Sequence, residues 1–277
     1  MITSPDQYAV MGHPIEHSQS PRIHALFAVQ TRQHLEYRTI RVEPGGFAAA
    51  ARAFREAGGK GLNVTVPFKQ DAWVFADVLS ARAERAGAVN TLSFGPDGVH
   101  GDNTDGPGLV RDLKTNHGGR LAGQRILLLG AGGAARGILQ PLLLEKPAHL
   151  VIANRTASKA RDLTLRFSDL VRVSGCGFAE LAGRQFDLII NATAAGLSDA
   201  TPPLPNGVLA AHGWCYDLMY GREPTAFVRW GREQGAAQAL DGLGMLVEQA
   251  AESFQRWRGV WPETRPVIDA LQSGRRL

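Results

Sequence analysis

A lysine and two aspartates in the first half of the chain have the chemistry of a proton donor and a proton acceptor. Lys69 ends the apolar segment GLNVTVPFK (residues 61–69), and Asp102 and Asp105 lie in the glycine-bearing segment GDNTDGPG (101–108). An ammonium can give a proton to a reacting oxygen and take it back, and a carboxylate can accept one. The sequence therefore offers Lys69 with Asp102 or Asp105 as a candidate acid–base pair.

The position of Lys69 after an alternating segment has a second explanation. Alternate side chains of an extended chain share a face, so Asn63, Thr65 and Lys69 are expected to point the same way. Pro67 cannot donate a ladder hydrogen bond, so regular strand pairing should stop near it. A solvated outer face of a strand would give the same alternation without any chemistry. The rest of the chain has to distinguish the two interpretations.

Two serines after the first predicted strand form a second candidate group. Ser18 and Ser20, in GHPIEHSQSP (12–21), are two residues apart, so in an extended segment their hydroxyls face together. Such a pair could bind a carboxylate or a polyol. Helix capping is the alternative, since Ser20 precedes Pro21 and would be a good N-cap. Capping would account for Ser20 and leave Ser18 unexplained.

The segment GAGGAARG (130–137) predicts a dinucleotide site. It follows an apolar strand, opens a helical segment, and fits the pattern GxGxxA through Gly130, Gly132 and Ala135. The small residues permit a tight turn, close approach of the backbone to a pyrophosphate, and close packing of helix on strand. The helix N-terminus would present free N–H groups to the phosphates. A tight connection without a ligand is the alternative.

The end of the next strand indicates which cofactor is used. Sites that prefer NAD place an acidic residue there, where it bonds the ribose 2′-hydroxyl. This chain has Asn154, Arg155 and Thr156 at that place, with Lys159 shortly after. A guanidinium can bind a 2′-phosphate through paired hydrogen bonds, and an ammonium adds positive charge. A plain basic surface is the alternative, but the position of Arg155 favours NADP over NAD.

Strand-like and helix-like segments alternate almost throughout, which is typical of an α/β protein with largely parallel sheets. In the first half we expect strands at 8–12, 35–42, 61–66, 89–94 and 98–101, with helices from Pro21, over 44–58 and near 70–79. Segment 101–108 is expected to be a loop or hinge. Short apolar runs at 125–130, 149–154, 186–191 and 214–218 predict a doubly wound nucleotide-binding domain. The tail from 242 has helical spacing.

The composition excludes several classes of protein. The chain has 277 residues, 44% of them hydrophobic and 20% charged, which is ordinary for a globular protein. The formal charge of +4 comes from scattered residues, so we expect no nucleic-acid partner. Cys176 and Cys215 make no disulfide framework, and the spacing of His13, His17 and His24 fits no metal motif. With no signal peptide and no long apolar run, we expect a cytoplasmic protein without membrane or metal.

These motifs occur together in one known family. In chain order they are GHPIEHSQSP, GLNVTVPFK, AVNT, GDNTDG, GAGGAARG, NRT, NATAAG, YDLMY and DGLGMLVEQA. The chain resembles the shikimate dehydrogenases over essentially its whole length. The resemblance implies NADP-dependent, reversible reduction of 3-dehydroshikimate to shikimate on the route to aromatic amino acids. A homodimer is compatible with it.

The resemblance also implies a fold. An N-terminal α/β substrate domain (1–106 and 241–277) would be joined to a doubly wound, Rossmann-type NADP domain (107–240), with the C-terminal helices returning to the first domain.

The roles of individual residues follow from the same resemblance. Lys69 would be the catalytic acid–base and Asp105 its partner, whereas Asp102 matches a less critical place. Substrate would be bound by two serines at its carboxylate and by further polar residues at its ring hydroxyls and pocket wall: Ser18, Ser20, Thr65, Asn90, Gln249 and Tyr220. Cofactor would be bound at the pyrophosphate, the 2′-phosphate and the nicotinamide by Gly130, Gly132, Gly133 and Ala134, by Asn154, Arg155, Thr156 and Lys159, and by Thr193, Gly242 and Met245.

Two other functions are compatible with the same motifs. One is a quinate/shikimate dehydrogenase with a broader choice of substrate or cofactor; the lack of an acid at 154–156 argues against its NAD-using form. The other is a noncatalytic NADP-binding regulator on the same scaffold, which could keep GAGGAARG and lose Lys69 or Asp105. Both residues are present, which favours the enzyme.

Overall fold

The computed structural model describes residues 4–170, 173–193 and 200–274. The chain divides into two compact units, Met1–Gly108 with Val247–Leu271, and Leu109–Leu246 with Gln272–Leu277. The α/β fold class predicted from the sequence is confirmed. Which function each unit serves remains a prediction.

The elements alternate along the whole chain. The first part has strands β1 Asp6–Gly12, β2 Leu35–Arg41, β3 Gly59–Val64, β4 Val78–Leu79, β5 Thr91–Gly95 and β6 Gly98–Asp102, and helices α1 Ser20–Thr31, α2 Phe47–Glu56, α3 Lys69–Phe75, α4 Ala81–Ala86 and α5 Asp105–Arg111. The second part has strands β7 Arg125–Leu129, β8 His149–Ala153, β9 Val173–Cys176, β10 Phe186–Asn191, β11 Leu209–Asp217 and β12 Gln238–Leu240, and helices α6 Gly133–Leu144, α7 Ala157–Leu165, α8 Ala226–Glu233, α9 Leu243–Arg258 and α10 Arg265–Ser273. A π-helical turn, Asp112–Asn116, continues α5.

The first unit is built on a mixed sheet of order β2-β1-β3-β5-β6-β4. Strand β1 pairs in parallel with β2 and β3, and β5 runs antiparallel to β3 and β6. Helix α2 buries Phe47, Ala51 and Phe54, which are spaced i, i+4 and i+7 and so share one face. That face packs in one apolar cluster with Leu62 and Val64 of β3. This packing holds the end of β3 in place, and Lys69 follows β3 along the chain.

The second unit contains an entirely parallel sheet of order β12-β11-β10-β7-β8-β9. Counted from β7, this is the doubly wound order 3-2-1-4-5-6. The four apolar runs became β7, β8, β10 and β11, as predicted. The sequence did not reveal β9 and β12, because VSGC and QAL are short and lack an apolar run. Among the described helices, none is long and apolar enough to span a bilayer.

Segment 61–69 is not extended throughout, contrary to the alternation argument. Strand β3 ends at Val64, and the Phe68 N–H donates to the Thr65 carbonyl at 2.9 Å, which closes a turn. Lys69 is the first residue of α3. The position of Lys69 is therefore set by this turn. It does not come from a strand face shared with Asn63 and Thr65.

Three further boundaries differ from the predictions. Segment 101–108 is mostly regular: β6 continues to Asp102 and α5 begins at Asp105. The helix expected near 70–79 ends at Phe75, and the short strand β4 follows it. Ser20 lies inside α1 and Gln19 occupies the cap position, so Ser20 is not the N-cap.

Candidate active site

Lys69 and Asp105 form a close, largely buried ion pair in the first unit. The Lys69 Nζ atom lies 2.5 Å from Asp105 Oδ2, and the two side chains are 16% and 8% exposed. The solvated-face explanation of Lys69 is therefore wrong. Charges that are shielded from water interact more strongly than surface charges, so the pair holds its geometry better than a surface salt bridge would. An ammonium and a carboxylate in contact at a partly open position can move a proton to and from a bound ligand.

Asn90 holds the other oxygen of the carboxylate. Its Nδ2 donates to Asp105 Oδ1 at 2.8 Å, and it lies 2.9 Å from Thr104 Oγ1 and 3.3 Å from Gln249 Oε1. The Asn90 side chain is almost fully buried. Each oxygen of Asp105 thus has its own donor, one ammonium and one amide, which fixes the plane of the carboxylate.

Backbone hydrogen bonds place these side chains together although they are far apart along the chain. The Val89 N–H donates to the Lys69 carbonyl at 2.8 Å, the Asn90 N–H to the Asp102 carbonyl at 3.1 Å, and the Val64 N–H to the Asn90 carbonyl at 2.8 Å. The start of α3, the end of β3 and the end of β6 therefore meet at Asn90.

Helix α9 brings Gln249 to the same group. The backbone of Gly108, in α5, approaches α9 so closely that a Cβ there would lie 2.7 Å from the Gln249 nitrogen. A larger residue at 108 would push the two helices apart. The structure thus collects Lys69, Asp105, Asn90 and Gln249 in one site.

The two serines lie on the loop between β1 and α1. The Ser20 N–H donates to Ser18 Oγ at 3.3 Å, and Ser20 is buried. A backbone bond of 2.9 Å from the His13 N–H to the Val66 carbonyl ties this loop to the turn that carries Thr65. Among the described residues, neither serine side chain bonds to Lys69. The serines and Thr65 therefore lie on neighbouring loops of the first unit.

Asp102 has a structural environment. It is buried and accepts hydrogen bonds from Arg82 Nε at 2.7 Å and Arg82 Nη2 at 2.5 Å. It also accepts a hydrogen bond from the Ser80 hydroxyl and lies 2.9 Å from Arg256 Nη1. Burial alone would raise the pKa of Asp102, but the hydrogen bonds and charge of Arg82, with Ser80 and Arg256, outweigh it and lower the pKa below its ordinary value. Asp102 is therefore not the partner of Lys69; it joins β6 to α4 and α9.

Asp102→Asn should destabilise the protein at neutral pH by about 1.5–3 kcal/mol, because it removes the charge of a buried carboxylate that accepts charge-assisted hydrogen bonds from Arg82. The folded-state pKa is depressed, so the stabilisation is fully present above the ordinary value of 3.8 and is lost as the pH falls below it. Urea unfolding of both proteins at neutral and acidic pH would measure this. The difference between them should shrink in acid, and Asp162→Asn, at an exposed aspartate of α7, should behave like the wild type. A difference that persists unchanged in acid would contradict the ion-pair explanation.

The histidines considered as metal ligands do not converge. His24 is buried and stacks face to face on Tyr37 with 4.2 Å between ring centroids. Burial lowers its pKa to about 3, so the ring is neutral. Within the described ranges, no three ligating side chains of the kind that bind metals come together.

In the second unit, the glycine turn follows β7 at the carboxyl edge of the sheet. Gly130 has φ +103°, and a Cβ there would lie 2.9 Å from the Ala192 carbonyl oxygen. Its N–H donates to the Ala153 carbonyl at 2.8 Å. Gly130 is therefore required by the fold, both by its backbone angle and by the space around it.

Gly132 and Gly133 differ from Gly130, because the space around them is open. A Cβ at either position would meet no atom within 4 Å, so the fold itself does not require glycine there. Helix α6 begins at Gly133, and Ala134 lies in its first turn. The first N–H groups of a helix have no partner inside the helix. Open space before free N–H groups fits a phosphate, so the cradle suits a dinucleotide.

The proposed 2′-phosphate residues lie at the end of β8, next to β7. Asn154 follows the strand, and its amide donates to the Thr156 carbonyl at 2.9 Å. Arg155, Thr156 and Lys159 are all exposed. Two cationic side chains are thus free to reach an anionic group at the same edge of the sheet as Gly130.

The residues expected at the nicotinamide follow β10 and open α9. Thr193 donates its hydroxyl to Asn191 Oδ1 at 2.7 Å. Gly242 is approached by the Leu218 carbonyl so closely that no Cβ would fit, and Met245 is buried. The motif NATAAG ends at 194–196, outside the described residues. Tyr220, half-buried after β11, also belongs to this unit.

Several polar residues of the site were not predicted. Thr104 and Thr91 lie inside two of the motifs, GDNTDG and AVNT, but had no role assigned. Ser253 lies four residues after Gln249 in α9, on the same face of the helix. That spacing was the one available signal for it.

The doubly wound sheet, its glycine cradle and the Lys69–Asp105 pair together define a dinucleotide-dependent oxidoreductase. Three family models match the chain: the shikimate dehydrogenase substrate binding domain over 10–92, shikimate/quinate 5-dehydrogenase over 112–198, and the shikimate 5′-dehydrogenase C-terminal domain over 242–272. The chain belongs to the shikimate dehydrogenase family, whose members interconvert 3-dehydroshikimate and shikimate with NADP.

Similar proteins match over nearly full length. The shikimate dehydrogenase (NADP(+)) of Methylococcus capsulatus is 63% identical over 276 residues, which is 99% of both chains. An Ael1 enzyme from Pseudomonas putida has a TM-score of 0.88 at 47% identity, covering 96% of this chain and 98% of that one. The shikimate 5-dehydrogenase of Thermus thermophilus, in complex with NADP(H) and shikimate, has a TM-score of 0.86 at 31% identity, covering 97% and 99%.

Proposed function

We propose that this chain reversibly reduces 3-dehydroshikimate to shikimate with NADPH, and that Lys69 is its general acid–base. The observation that carries the proposal is the largely buried contact of 2.5 Å between Lys69 Nζ and Asp105 Oδ2, in a chain of this family. In reduction Lys69 gives a proton to the oxygen that becomes the hydroxyl, and in oxidation it takes that proton back. Its positive charge also stabilises the negative charge that develops on this oxygen.

Asp105 accepts the hydrogen bond of the reacting hydroxyl and keeps Lys69 in place. The other substrate residues bind groups that do not react. Ser18 and Ser20 donate to the substrate carboxylate, and Thr65, Asn90 and Gln249 bond to the ring hydroxyls. Tyr220 is proposed as a further substrate-binding residue.

NADP(H) is the cofactor that the second unit suits. When bound, its nicotinamide supplies or accepts the hydride. The pyrophosphate would be held by Gly130, Gly132, Gly133 and Ala134, the 2′-phosphate by Asn154, Arg155, Thr156 and Lys159, and the nicotinamide by Thr193, Gly242 and Met245. The complex of the Thermus protein with NADP(H) and shikimate supports NADP(H) as the cofactor.

Incubation of the purified chain with 3-dehydroshikimate and NADPH tests the proposal. NADPH absorbance should fall, and shikimate identified by mass spectrometry should appear in equal amount. The same mixture without 3-dehydroshikimate is the control. NADPH consumption without shikimate, or no reaction in either direction, would contradict the proposal.

Gly132→Ala should weaken NADP binding without changing the fold. A Cβ at 132 meets no protein atom within 4 Å, yet it would occupy the space proposed for the pyrophosphate. We expect Kd for NADP to rise about tenfold or more, or about 1.4 kcal/mol. Calorimetric titration with NADP and thermal unfolding would measure the two effects.

Gly130→Ala is the contrasting variant. It would put an alanine at φ +103° and its Cβ 2.9 Å from the Ala192 carbonyl oxygen, so it should lower the unfolding temperature. Equal NADP affinity in Gly132→Ala and the wild type would show that the pyrophosphate does not bind at Gly132.

The oligomeric state and location remain predictions. We propose a homodimer, which size-exclusion chromatography with light scattering would identify. We also propose a cytoplasmic location, in keeping with the free thiols of Cys176 and Cys215, and cell fractionation would test it.

A further inference from the structure

Three hydroxyl groups form a fully buried cluster beside the proposed active site. They belong to Thr91 in β5, Thr104 between β6 and α5, and Ser253 in α9, and all three residues are 0% exposed. The Thr91 and Ser253 oxygens are 2.8 Å apart, and Thr104 Oγ1 lies 3.3 Å from each of them. We call these residues the hydroxyl cluster. Buried hydroxyls are costly unless they are hydrogen-bonded, so the cluster constrains whatever it contacts.

The hydroxyl cluster contacts both ends of the Asn90 amide, since Thr104 Oγ1 lies 2.9 Å from Nδ2 and 3.2 Å from Oδ1. Asn90 Oδ1 accepts from the Thr104 N–H at 2.8 Å and from Thr91 Oγ1 at 3.0 Å. Asn90 Nδ2 then faces Asp105 Oδ1 at 2.8 Å. The opposite orientation of this amide would turn its carbonyl oxygen toward the carboxylate and lose that hydrogen bond. The donors on Oδ1 therefore decide that Asn90 gives a hydrogen bond to Asp105.

The hydroxyls of Thr91 and Ser253 are linked to the Asn90 amide. Thr91 Oγ1 lies 3.0 Å from Asn90 Oδ1, an atom that can only accept. Either hydroxyl can be the donor in the 2.8 Å contact between Thr91 and Ser253, and Ser253 also donates to the Gln249 carbonyl at 3.0 Å. These contacts connect Ser253 through Thr91 to Asn90.

The amide of Asn63 supports the other side of Ser253. Asn63 Nδ2 donates to Ser253 Oγ at 3.0 Å and lies 3.2 Å from Thr91 Oγ1, while Asn63 Oδ1 accepts the Tyr37 hydroxyl at 2.8 Å. With an amide donating to it, Ser253 Oγ points its own proton away from Asn63. The cluster is thus held between the amides of Asn63 and Asn90.

We propose that Thr91 and Ser253 are positioning residues for the reaction. Their hydroxyls orient the Asn90 amide toward Asp105, and Asp105 in turn holds Lys69 by its second oxygen. The proposal rests on the function proposed above for Lys69 and Asp105. Neither hydroxyl is assigned a contact with substrate; both act through Asn90.

Substitutions that remove or keep one hydroxyl test the proposal. Thr91→Val removes the hydroxyl at nearly constant volume, and Thr91→Ser keeps it. We expect Thr91→Val to lower kcat with shikimate about three- to tenfold, the effect of one lost hydrogen bond, with KM for NADP unchanged. Thr91→Ser should recover most of the loss. Ser253→Ala should behave like Thr91→Val, and Gln255→Ala, on the exposed side of α9, should match the wild type.

A double-mutant cycle separates positioning from a general loss of stability. Adding Thr91→Val to Asn90→Ala should have little further effect on kcat/KM for shikimate, because the group that Thr91 orients is already absent. Equal effects of Thr91→Val in both backgrounds would overturn the proposal, as would a lower unfolding temperature with unchanged kcat. If Thr91→Val does not fold, the same cycle with Ser253→Ala decides. A wild-type protein that does not oxidise shikimate would instead overturn the proposed function, and this inference with it.

Discussion

Lys69→Ala should lower turnover of shikimate about 10²–10⁴-fold, the usual contribution of a general acid–base. The variant loses both the proton donor and the positive charge that faces the developing oxyanion. Because Asp105 keeps its hydrogen bond from Asn90 at 2.8 Å, the rest of the site should remain folded. Steady-state rates in both directions, with circular dichroism and NADP titration as checks of integrity, would measure the effect.

Lys60→Ala is the matched control, since Lys60 is an exposed lysine of the same unit. It should keep wild-type rates. Turnover of Lys69→Ala within about threefold of the wild type would contradict the role of Lys69, because such a change is smaller than acid–base catalysis provides.

Arg155→Ala should raise KM for NADP about 10–100-fold and leave KM for NAD nearly unchanged. The guanidinium is proposed to make charge-assisted, paired hydrogen bonds to the 2′-phosphate, which NAD lacks; such bonds contribute about 1.5–3 kcal/mol each. Lys159→Ala should have a smaller effect, since an ammonium is a less directional ligand. Initial rates with each cofactor at saturating shikimate would give the four KM values.

Arg232→Ala, an exposed arginine in α8 of the same unit, is the control for a general loss of positive charge. It should change neither KM. A parallel rise of KM for NADP and NAD in Arg155→Ala would show that Arg155 binds a part common to both cofactors. The choice of NADP would then need another cause.

The elements that could be predicted from the sequence are the buried strands, because burial makes their residues apolar. Strands β7, β8 and β10 are covered on both faces, so they are continuous apolar runs, and their ends mark the cofactor edge. The short strand β12 contributes three residues whose pairing with β11 comes from the fold, and no apolar pattern announces it. The turn from Thr65 to Phe68, which places Lys69 at the start of α3, was also missed, because it lies within an apparently regular alternation.

The site was predicted as residue types, and the structure supplied their distances. Lys69 and Asp105 are separated by 36 positions, and their contact depends on backbone bonds at Asn90 that no local pattern encodes. Asp102 lies in the same motif as Asp105, yet its carboxylate pairs with Arg82 and Arg256 and does not pair with Lys69. Thr91 and Ser253 carried no signal beyond one helical spacing, because a hydroxyl becomes informative when its partners are known.

Initial rates of nicotinamide reduction, with shikimate and quinate each paired with NADP and NAD, test whether this chain is a shikimate dehydrogenase specific for NADP. The geometry of Lys69 with Asp105 and the place of Arg155 predict that shikimate with NADP is far faster than the other three pairs. Comparable rates with quinate or NAD would move the chain to the broader quinate/shikimate enzymes. No rate with any pair would contradict the account, leaving a nucleotide-binding scaffold in which Lys69 has no reaction to catalyse.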